Sequence, residues 1–416
     1  MSVMGYPYKD TISMEEALRH SEGPLAFNLM IKPIGSLCNL GCHYCYYLDK
    51  AEIYGGKQPR MTLEMLEKLT REYIAANDVP EVTFNWHGGE PLLMGLDFYR
   101  TAVEFQQKYA DGKKIHNTIQ TNATLVDREW AEFFRRNEFL VGVSLDGPAD
   151  IHNKYRKDKG GQPSFDKVMA GLNILRQVGV EFNTMSTINK SSEGRGLEVY
   201  QFLKSIGSRY MQFMPVVEHI KSKLIVDPRE PDARIAPWSV SSQGFGKFMC
   251  DIFDYWVRHD VGQYFVNLFD ATLAGYCGAQ PGTCAYAATC GGNTVIEHNG
   301  DVYPCDHFVY SRYLIGNIAD RSLREMAMSE EQYRFGLEKR NNLPAKCFSC
   351  RYGSICHGEC PKHRFSRTEN GDTGLSALCG GYKMFYEHTE PYMLKMRELL
   401  MNRQSPACVM PWALTF

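Results

Sequence analysis

The sequence predicts an α/β protein, in which a partial barrel of six strand-and-helix units is followed by a smaller cysteine-rich region. Short β-rich runs alternate with amphipathic helical stretches from about residue 25 to 215, and polar or glycine-rich residues follow each run. Eight cysteines then fall between Cys284 and Cys379. Six units are too few for a complete eight-stranded barrel, so we expect an open, partial barrel.

The strands and helices of this barrel follow from local patterning. The predicted strands are 27–32, 82–86, 115–120, 140–144, 182–187 and 210–214. Between them, apolar residues recur at helical spacing, with Thr62 as the expected N-cap of one helix and Gly179 as the expected C-cap of another. Such apolar stripes indicate the protein core and carry no information about a cofactor.

The rest of the chain divides into further segments. A polar, proline-bearing stretch at 228–237 interrupts the pattern, and helices are predicted near 248–258 and 382–401. We expect an N-terminal segment (1–24), the barrel (25–240), a helical connector (241–275), a metal-organised domain (276–381) and a helical tail (382–416).

Composition excludes several classes of protein. The 416 residues are 44% hydrophobic and 23% charged, as in an ordinary globular protein, and a net charge of -2 offers no footprint for nucleic acid. No apolar run reaches the roughly 18 residues of a membrane span, and the N-terminus lacks the basic and apolar regions of a signal peptide. These features predict a cytoplasmic protein. Its 14 cysteines are too sparse for a disulfide scaffold, and clustered thiols in a reducing compartment bind metal or perform redox chemistry.

The first cluster of thiols lies just after the first predicted strand. Cys38, Cys42 and Cys45 form a C-x3-C-x2-C pattern within residues 36–47, which we call the cysteine loop. Three thiolates can hold three corners of a 4Fe-4S cube, which normally takes four cysteines, and leave one iron open to a chelating ligand. A zinc site or simple burial of the thiols is the alternative.

Residues after the other strands indicate what that ligand is. Gly88, Gly89, Glu90 and Pro91, the GGEP turn, follow the second strand, where backbone amides and Glu90 could hold an amino group. Asn122 follows the third strand. Ser144 ends the fourth, with Asp146, Gly147 and Arg156 close behind, and a hydroxyl and a guanidinium can bind a carboxylate. An amino acid derivative fits both groups, although a turn serine and a surface cation are the plainer interpretation of Ser144 and Arg156.

At these residues the chain resembles the radical S-adenosylmethionine enzymes, over roughly residues 25 to 240. The resemblance implies reductive cleavage of S-adenosylmethionine at the open iron and a 5'-deoxyadenosyl radical that abstracts hydrogen from a substrate. It also implies a set of cofactor-lining residues, namely Tyr44, Gly88, Gly89, Glu90, Asn122, Ser144, Arg156 and Val217.

The second cluster of thiols resembles the SPASM domain, which in its full form carries two auxiliary 4Fe-4S clusters. By that resemblance one cluster takes Cys284, Cys290, Cys305 and Cys360, and the other takes Cys347, Cys350, Cys356 and Cys379. Spacing alone leaves this division open, and a pair of structural zinc sites is the alternative. The remaining cysteines, Cys250, Cys277 and Cys408, match no ligand position and are expected to act as small hydrophobes.

The residues around Cys305 narrow the resemblance further. Asp306 directly follows this cysteine, where a carboxylate could act as a base, or more plainly could be a turn or capping residue. Asp306, the cysteine loop and the GGEP turn carry a similarity to the anaerobic sulfatase-maturating enzymes, together with the stretches 120–122, 141–148, 151–153, 156–158, 303–306 and 316–318. That family oxidises a cysteine or serine of a sulfatase polypeptide, in a C/S-x-P-x-R motif, to Cα-formylglycine. The likeness makes Asp306 the proton acceptor and lets Tyr47 and His87 contact the substrate.

Two rival functions remain at this point. The nearer one is another SPASM peptide modifier, which forms thioether crosslinks or matures a quinone cofactor; about 25 residues ahead of the first strand are too few for the precursor-binding domain that such enzymes commonly use. The other is a non-catalytic iron-sulfur or zinc-binding module. The expected cofactors are three 4Fe-4S clusters and S-adenosylmethionine, and the expected partners are a sulfatase polypeptide and a reductant such as flavodoxin or ferredoxin, with no nucleic acid and no membrane.

Overall fold

One ten-stranded sheet organises the computed structural model, which describes residues 11–15, 24–47, 50–54, 60–220, 229–231 and 234–415. Most of the expected N-terminal segment and part of the stretch 228–237 lie outside the described residues. Six strands at the centre of the sheet are the predicted ones, and they run parallel in sequence order. They are β1 (Asn28–Lys32), β2 (Glu81–Trp86), β3 (Lys114–Thr121), β4 (Leu140–Ser144), β5 (Phe182–Ile188) and β6 (Tyr210–Pro215). The predicted open α/β barrel is confirmed.

Four further strands, absent from the sequence prediction, extend this sheet at both edges. They are β7 (Phe265–Val266), β8 (Asn293–Glu297), β9 (Asp301–Tyr303) and β10 (Gly316–Asn317). β7 pairs with β6, and β8 pairs in parallel with β1 from Asn28 opposite Asn293 to Lys32 opposite Glu297. The cysteine-rich region therefore covers the open edge of the barrel with its own hairpin, which removes an unpaired strand edge. The division into five segments stays a prediction.

The helices are arranged around this sheet. They are α1 (Lys50–Ile53), α2 (Leu63–Ala76), α3 (Leu96–Tyr109), α4 (Arg128–Arg136), α5 (Ala149–Tyr155), α6 (Phe165–Val178), α7 (Gly196–Ser205), α8 (Ser242–His259), α9 (Asn267–Tyr276), α10 (Leu323–Ala327), α11 (Glu330–Asn341), α12 (Ala345–Phe348), α13 (Gly353–Cys356), α14 (Cys379–Met401) and α15 (Val409–Ala413). Both predicted caps are confirmed: the Thr62 side chain accepts from the Met65 amide at 3.2 Å, and Gly179 closes α6 in the left-handed conformation.

Two long helices join the barrel to the C-terminal region. α8 begins six residues before the predicted helix, and α14 packs against it through Phe245 and Tyr382, whose ring centroids lie 4.7 Å apart. Close approach is possible because Gly381 faces α8; a Cβ atom there would lie 2.1 Å from the Ser242 carbonyl oxygen. Within the described part of the chain, no helix combines the length and the apolarity that crossing a bilayer requires.

Candidate active site

A cavity of about 490 Å³ lies inside the barrel, between the strands and the cysteine-rich region. From the barrel it is lined by polar side chains such as Asn85, Gln120 and Gln212, and from the C-terminal region by Cys305 and Asp306. A closed barrel of eight strands fills its interior with side chains, whereas these polar residues leave space. The cavity has the size and mixed lining of a ligand-binding site.

The cysteine loop follows β1 and is held in place by backbone hydrogen bonds from neighbouring segments. Burial, with the nearby Glu90 carboxylate as the next cause, raises the pKa of Cys38 to about 12, and burial raises the pKa of Cys42 to about 11. Cys42 and Cys45 both lie within electrostatic range of Cys38. Three buried, converging thiols are a donor set for a metal that takes thiolates, since coordination supplies the charge that ionises them. The residues therefore fit an iron-sulfur group.

The GGEP turn packs against the start of the cysteine loop through backbone hydrogen bonds. The Gly89 amide donates to the Gly35 carbonyl at 2.8 Å, and the Glu90 amide donates to the Leu37 carbonyl at 2.9 Å. Gly88 has φ +129°, a conformation that favours glycine. Both amides already donate to the carbonyls of Gly35 and Leu37, so the expectation that these amides hold the amino group of a ligand is wrong. A cofactor contact by other atoms of the GGEP turn stays a prediction.

Glu90 is fully buried and its carboxylate joins the ends of two strands. It accepts hydrogen bonds from the Leu92 amide at 3.1 Å, the Thr121 hydroxyl at 2.7 Å and the Asn122 amide at 2.8 Å. Burial raises its pKa to about 7, against the effect of these three donors. Glu90 thus fixes the end of β3 relative to the GGEP turn.

Asn122 connects that strand end to the cysteine loop. Its Nδ2 donates to Asn39 Oδ1 at 2.9 Å and lies 3.7 Å from the Cys38 sulfur, while its Oδ1 accepts from the Thr124 hydroxyl at 2.6 Å. The amide therefore reaches one of the three thiols directly. Hydrogen bonds to a ligand sulfur are one means by which proteins tune an iron-sulfur group.

The buried carboxylate of Asp146 contacts three residues near the end of the fourth strand. It accepts from the Tyr44 hydroxyl and from the Thr187 amide at 3.0 Å, and Arg156 Nε lies 3.0 Å from its Oδ1. The Arg156 guanidinium also lies 5.6 Å from the centre of the Tyr44 ring. Burial lowers the pKa of Arg156, but Asp146, Tyr44 and Cys42 together outweigh burial and leave this pKa raised. Arg156 is thus a buried cation beside the cysteine loop, and the interpretation as a surface cation is wrong.

Ser144 and Val217 complete the predicted cofactor-lining set. The Ser144 hydroxyl accepts from Gln120 Nε2 at 2.9 Å, which orients it at the end of β4. Val217 follows β6 and its side chain is buried in the main hydrophobic core. A cofactor contact by either residue stays a prediction.

His87 lines the cavity and has its tautomer assigned by its partners. Its Nδ1 accepts from the Gly88 amide at 2.8 Å and lies 3.1 Å from the ammonium of Lys32, so its proton sits on Nε2. Burial, followed by the Lys32 charge, lowers the pKa of His87 to about 3. The ring is therefore neutral and offers one N–H donor.

Tyr47 contacts Glu297 and Lys32. Its ring is buried, its hydroxyl donates to the Glu297 carboxylate, and Lys32 Nζ lies 4.2 Å from its ring centre. Contact between Tyr47 and a substrate backbone stays a prediction.

Asp306 faces the cavity beside Cys305 and has two partners that the sequence did not indicate. The Tyr46 hydroxyl donates to its Oδ2, and the ammonium of the fully buried Lys32 lies 3.5 Å from the same oxygen. Burial raises the pKa of Asp306, but nearby positive charge outweighs it and holds this pKa well below its usual range. Burial lowers the pKa of His307 itself to about 3, and Lys32 is the cation within ion-pair distance of Asp306. The sequence held one signal of this ion pair: Lys32 is a charged residue at the end of an otherwise apolar strand.

The eight C-terminal cysteines fall into two groups of four. The Cys305 thiol lies within electrostatic range of the other members of the first auxiliary set, which is Cys284, Cys290, Cys305 and Cys360. All four line the cavity. Thiols of the second auxiliary set also lie within electrostatic range of one another; this set is Cys347, Cys350, Cys356 and Cys379. The tertiary structure thus brings together the two groups that the resemblance implied, and each offers the four thiols of a closed iron-sulfur site.

Comparisons with known proteins agree with this arrangement. A family model described as the radical SAM superfamily matches residues 33–203, and one described as the SPASM iron-sulfur cluster-binding domain matches residues 289–351. A serine-type anaerobic sulfatase-maturating enzyme of Bacteroides thetaiotaomicron is 49% identical and covers 92% of this chain and 94% of its own. A cysteine-type enzyme of the same name from Clostridium novyi is 33% identical and covers 91% and 99%. A solved structure described as native anSMEcpe with bound AdoMet and Kp18Cys peptide has a TM-score of 0.80 at 29% identity, covering 90% of this chain and 99% of that chain. The chain belongs to the anaerobic sulfatase-maturating enzymes, within the SPASM-containing radical SAM superfamily.

Proposed function

We propose that this enzyme oxidises a serine or cysteine side chain of a sulfatase polypeptide, within a C/S-x-P-x-R motif, to Cα-formylglycine. The single observation that carries the proposal is the shared cavity, in which a carboxylate, Asp306, lies beside the first auxiliary set and faces the barrel interior. A side chain entering this cavity would meet a proton acceptor, Asp306, beside the four thiols that would hold an electron-accepting cluster. Family membership supports the same conclusion.

The residues that would hold the cofactors follow from the donor sets. Cys38, Cys42 and Cys45 would hold the radical-forming 4Fe-4S cluster, and the two auxiliary sets would hold one 4Fe-4S cluster each. Ser144 and Arg156 would bind the carboxylate of S-adenosylmethionine, with Tyr44 beside them. When bound, these groups supply radical hydrogen abstraction and accept the second electron of the oxidation.

The protein residues handle the proton and the position of the substrate. Oxidation of a CH₂OH group to an aldehyde removes a hydrogen atom from carbon, a proton from oxygen and one further electron. Asp306 would take the proton, because it is held as an ionised acceptor by Lys32 and oriented by Tyr46. His87 would donate its Nε2–H to a carbonyl oxygen of the substrate, since its other nitrogen is occupied.

We further propose that serine is among the accepted residues. The supporting observation is the 49% identity to a relative named as serine-type, against 33% for one named as cysteine-type. The same site chemistry serves both substrates, because a thiol or a hydroxyl can lose its proton to Asp306, and a thioaldehyde product would then hydrolyse.

An anaerobic peptide assay tests the function. The reconstituted enzyme, given S-adenosylmethionine and reductant, is offered peptides with S-x-P-x-R, C-x-P-x-R or, as a control, A-x-P-x-R. We expect the serine peptide to lose two hydrogens by mass analysis and the alanine peptide to stay unchanged. Cofactor cleavage with an unchanged serine peptide would refute serine acceptance, and unchanged serine and cysteine peptides would refute the function and favour a thioether-forming or quinone-maturing role.

The reaction also needs an external reductant. We propose a small electron carrier such as flavodoxin or ferredoxin as that partner, because reductive cleavage of S-adenosylmethionine consumes an electron that no residue of this chain supplies.

A further inference from the structure

The lysine-rich segment 154–161 is joined to the cysteine loop by backbone hydrogen bonds. The Gly41 amide donates to the Lys157 carbonyl at 2.8 Å, and the His43 amide donates to the Tyr155 carbonyl at 3.0 Å. Leu40 and Asp158 form an antiparallel bridge beside them. The segment is therefore in backbone contact with the residues on both sides of Cys42.

Three side chains of this segment give it a positive surface. Lys154, Lys157 and Lys159 are exposed, and within the described residues none of them forms an ion pair; we call these three the basic ledge. Asp158 is the one acid in the segment 154–161 and lines the same depression as the lysines. Its Oδ1 accepts from the amides of Gly160 and Gln162 at 2.9 and 2.8 Å, and its Oδ2 lies 3.8 Å from Lys167 Nζ. The ledge is locally positive although the whole chain carries a net charge of -2.

The ledge borders a shallow depression with an aromatic floor. Leu40, Gly41 and His43 line it together with residues of the segment 154–161. The His43 ring lies 4.4 Å from the Trp238 ring, edge to face, and 6.3 Å from the Tyr155 ring, roughly parallel. His43 is exposed and directly follows Cys42 in the chain, so this group of rings lies beside a thiol of the cysteine loop.

The surface near the second auxiliary set differs in its charge. Its cations are neutralised by acids: Lys346 Nζ lies 2.6 Å from Glu369, and Arg351 lies 2.6 Å from Glu390. Long-range attraction of an acidic protein depends on unpaired charge of the opposite sign. Of these two surfaces, the basic ledge is the one that would attract such a protein.

We propose that the basic ledge is the docking surface for the reductant, a small acidic one-electron carrier protein. The proposal rests on the proposed function, which requires one electron at the cysteine loop for each cleavage of S-adenosylmethionine. In each encounter the carrier is oxidised by one electron and the iron-sulfur group at the loop is reduced by one, with no proton or bond exchanged.

A comparison of two reductants tests this surface. The holoenzyme with Lys154→Gln, Lys157→Gln and Lys159→Gln is compared with wild type and with a control of equal charge change, Lys114→Gln, Lys346→Gln and Lys383→Gln. Rates of cluster reduction and of 5'-deoxyadenosine formation are measured with dithionite and with reduced flavodoxin, at low and at high salt.

With flavodoxin at low salt, we expect the ledge variant to be reduced about tenfold more slowly than wild type, and the difference to shrink at high salt. With dithionite, both variants should match wild type, because a small reductant needs no docking surface. A ledge variant that flavodoxin reduces at the wild-type rate, or an equal loss in the control variant, would overturn the proposal. A failure of the proposed function can be distinguished from a failure of the docking proposal. In the first case the sulfatase peptide stays unchanged, while the cluster reduction rates still report on docking.

Discussion

Replacing Gly89 by alanine is the sharpest test of how the barrel positions the cysteine loop. A Cβ atom at Gly89 would lie 1.9 Å from the Leu37 carbonyl oxygen, 2.4 Å from the Leu37 carbonyl carbon and 2.8 Å from the Ser36 carbonyl carbon. Ordinary contact begins at 3.4 Å, so the loop backbone must retreat by about 1.5 Å. No rotation of a side chain can relieve the clash, because all three atoms belong to the backbone.

The retreat carries an energetic cost and a chemical consequence. Overpacking costs about 1–3 kcal/mol. The two hydrogen bonds from Gly89 and Glu90 to the loop contribute about 1 kcal/mol each and would be lost. A loop displaced by this distance cannot place Cys38, Cys42 and Cys45 on one cube, whereas the two auxiliary sets are far along the chain and unaffected.

Iron and acid-labile sulfide analysis after anaerobic reconstitution measures the result. We expect about twelve irons per wild-type chain and about eight for Gly89→Ala, with cleavage of S-adenosylmethionine abolished. The matched control is Gly41→Ala in the cysteine loop itself, where a Cβ would meet no atom closer than 3.8 Å. Full iron content and normal cofactor cleavage in Gly89→Ala would refute the reasoning.

Further predictions concern the cavity and its supports. Asp306→Asn should retain its clusters and cleave the cofactor but form formylglycine at least about 100-fold more slowly, because an amide cannot take the proton; a wild-type yield by mass analysis would exclude Asp306 as the base. Glu90→Gln should lower the free energy of unfolding by about 1–3 kcal/mol, because the NH₂ group of the new glutamine would face donors such as the Asn122 amide. In the same denaturant titration, the exposed control Glu104→Gln should change this free energy by no more than about 0.5 kcal/mol. His87→Leu should raise the KM for the peptide without changing cofactor cleavage, and His87→Gln, which keeps an N–H donor, should restore it; an unchanged KM in His87→Leu would contradict the assigned donor.

The fold was predictable to the extent that its elements are encoded locally. Each end of the six barrel strands lies within one residue of its predicted position, because β-rich runs bounded by turn residues declare themselves in the sequence. β8 and β9 were missed, since short runs beside glycine have no distinctive pattern and become strands only by pairing with β1 or with each other.

The candidate site was predictable where spacing carries the chemistry. Cysteines within one loop must lie close together, so Cys38, Cys42 and Cys45 could be assigned as one donor set from the chain alone. Lys32 and Tyr46 could not be recognised as partners of Asp306, because the three residues meet only when the hairpin of the cysteine-rich region docks on the edge of the barrel.

The sequence by itself therefore determined the cysteine loop and the six barrel strands of this enzyme. A short loop and a single strand form through residues that are neighbours in the chain, so their pattern can be recognised there. Long-range packing established how the eight C-terminal cysteines divide into two sets of four, why Lys32 is buried and where Asp306 faces. Those features depend on contacts between residues far apart in the chain, and residue spacing contains no distances between such segments.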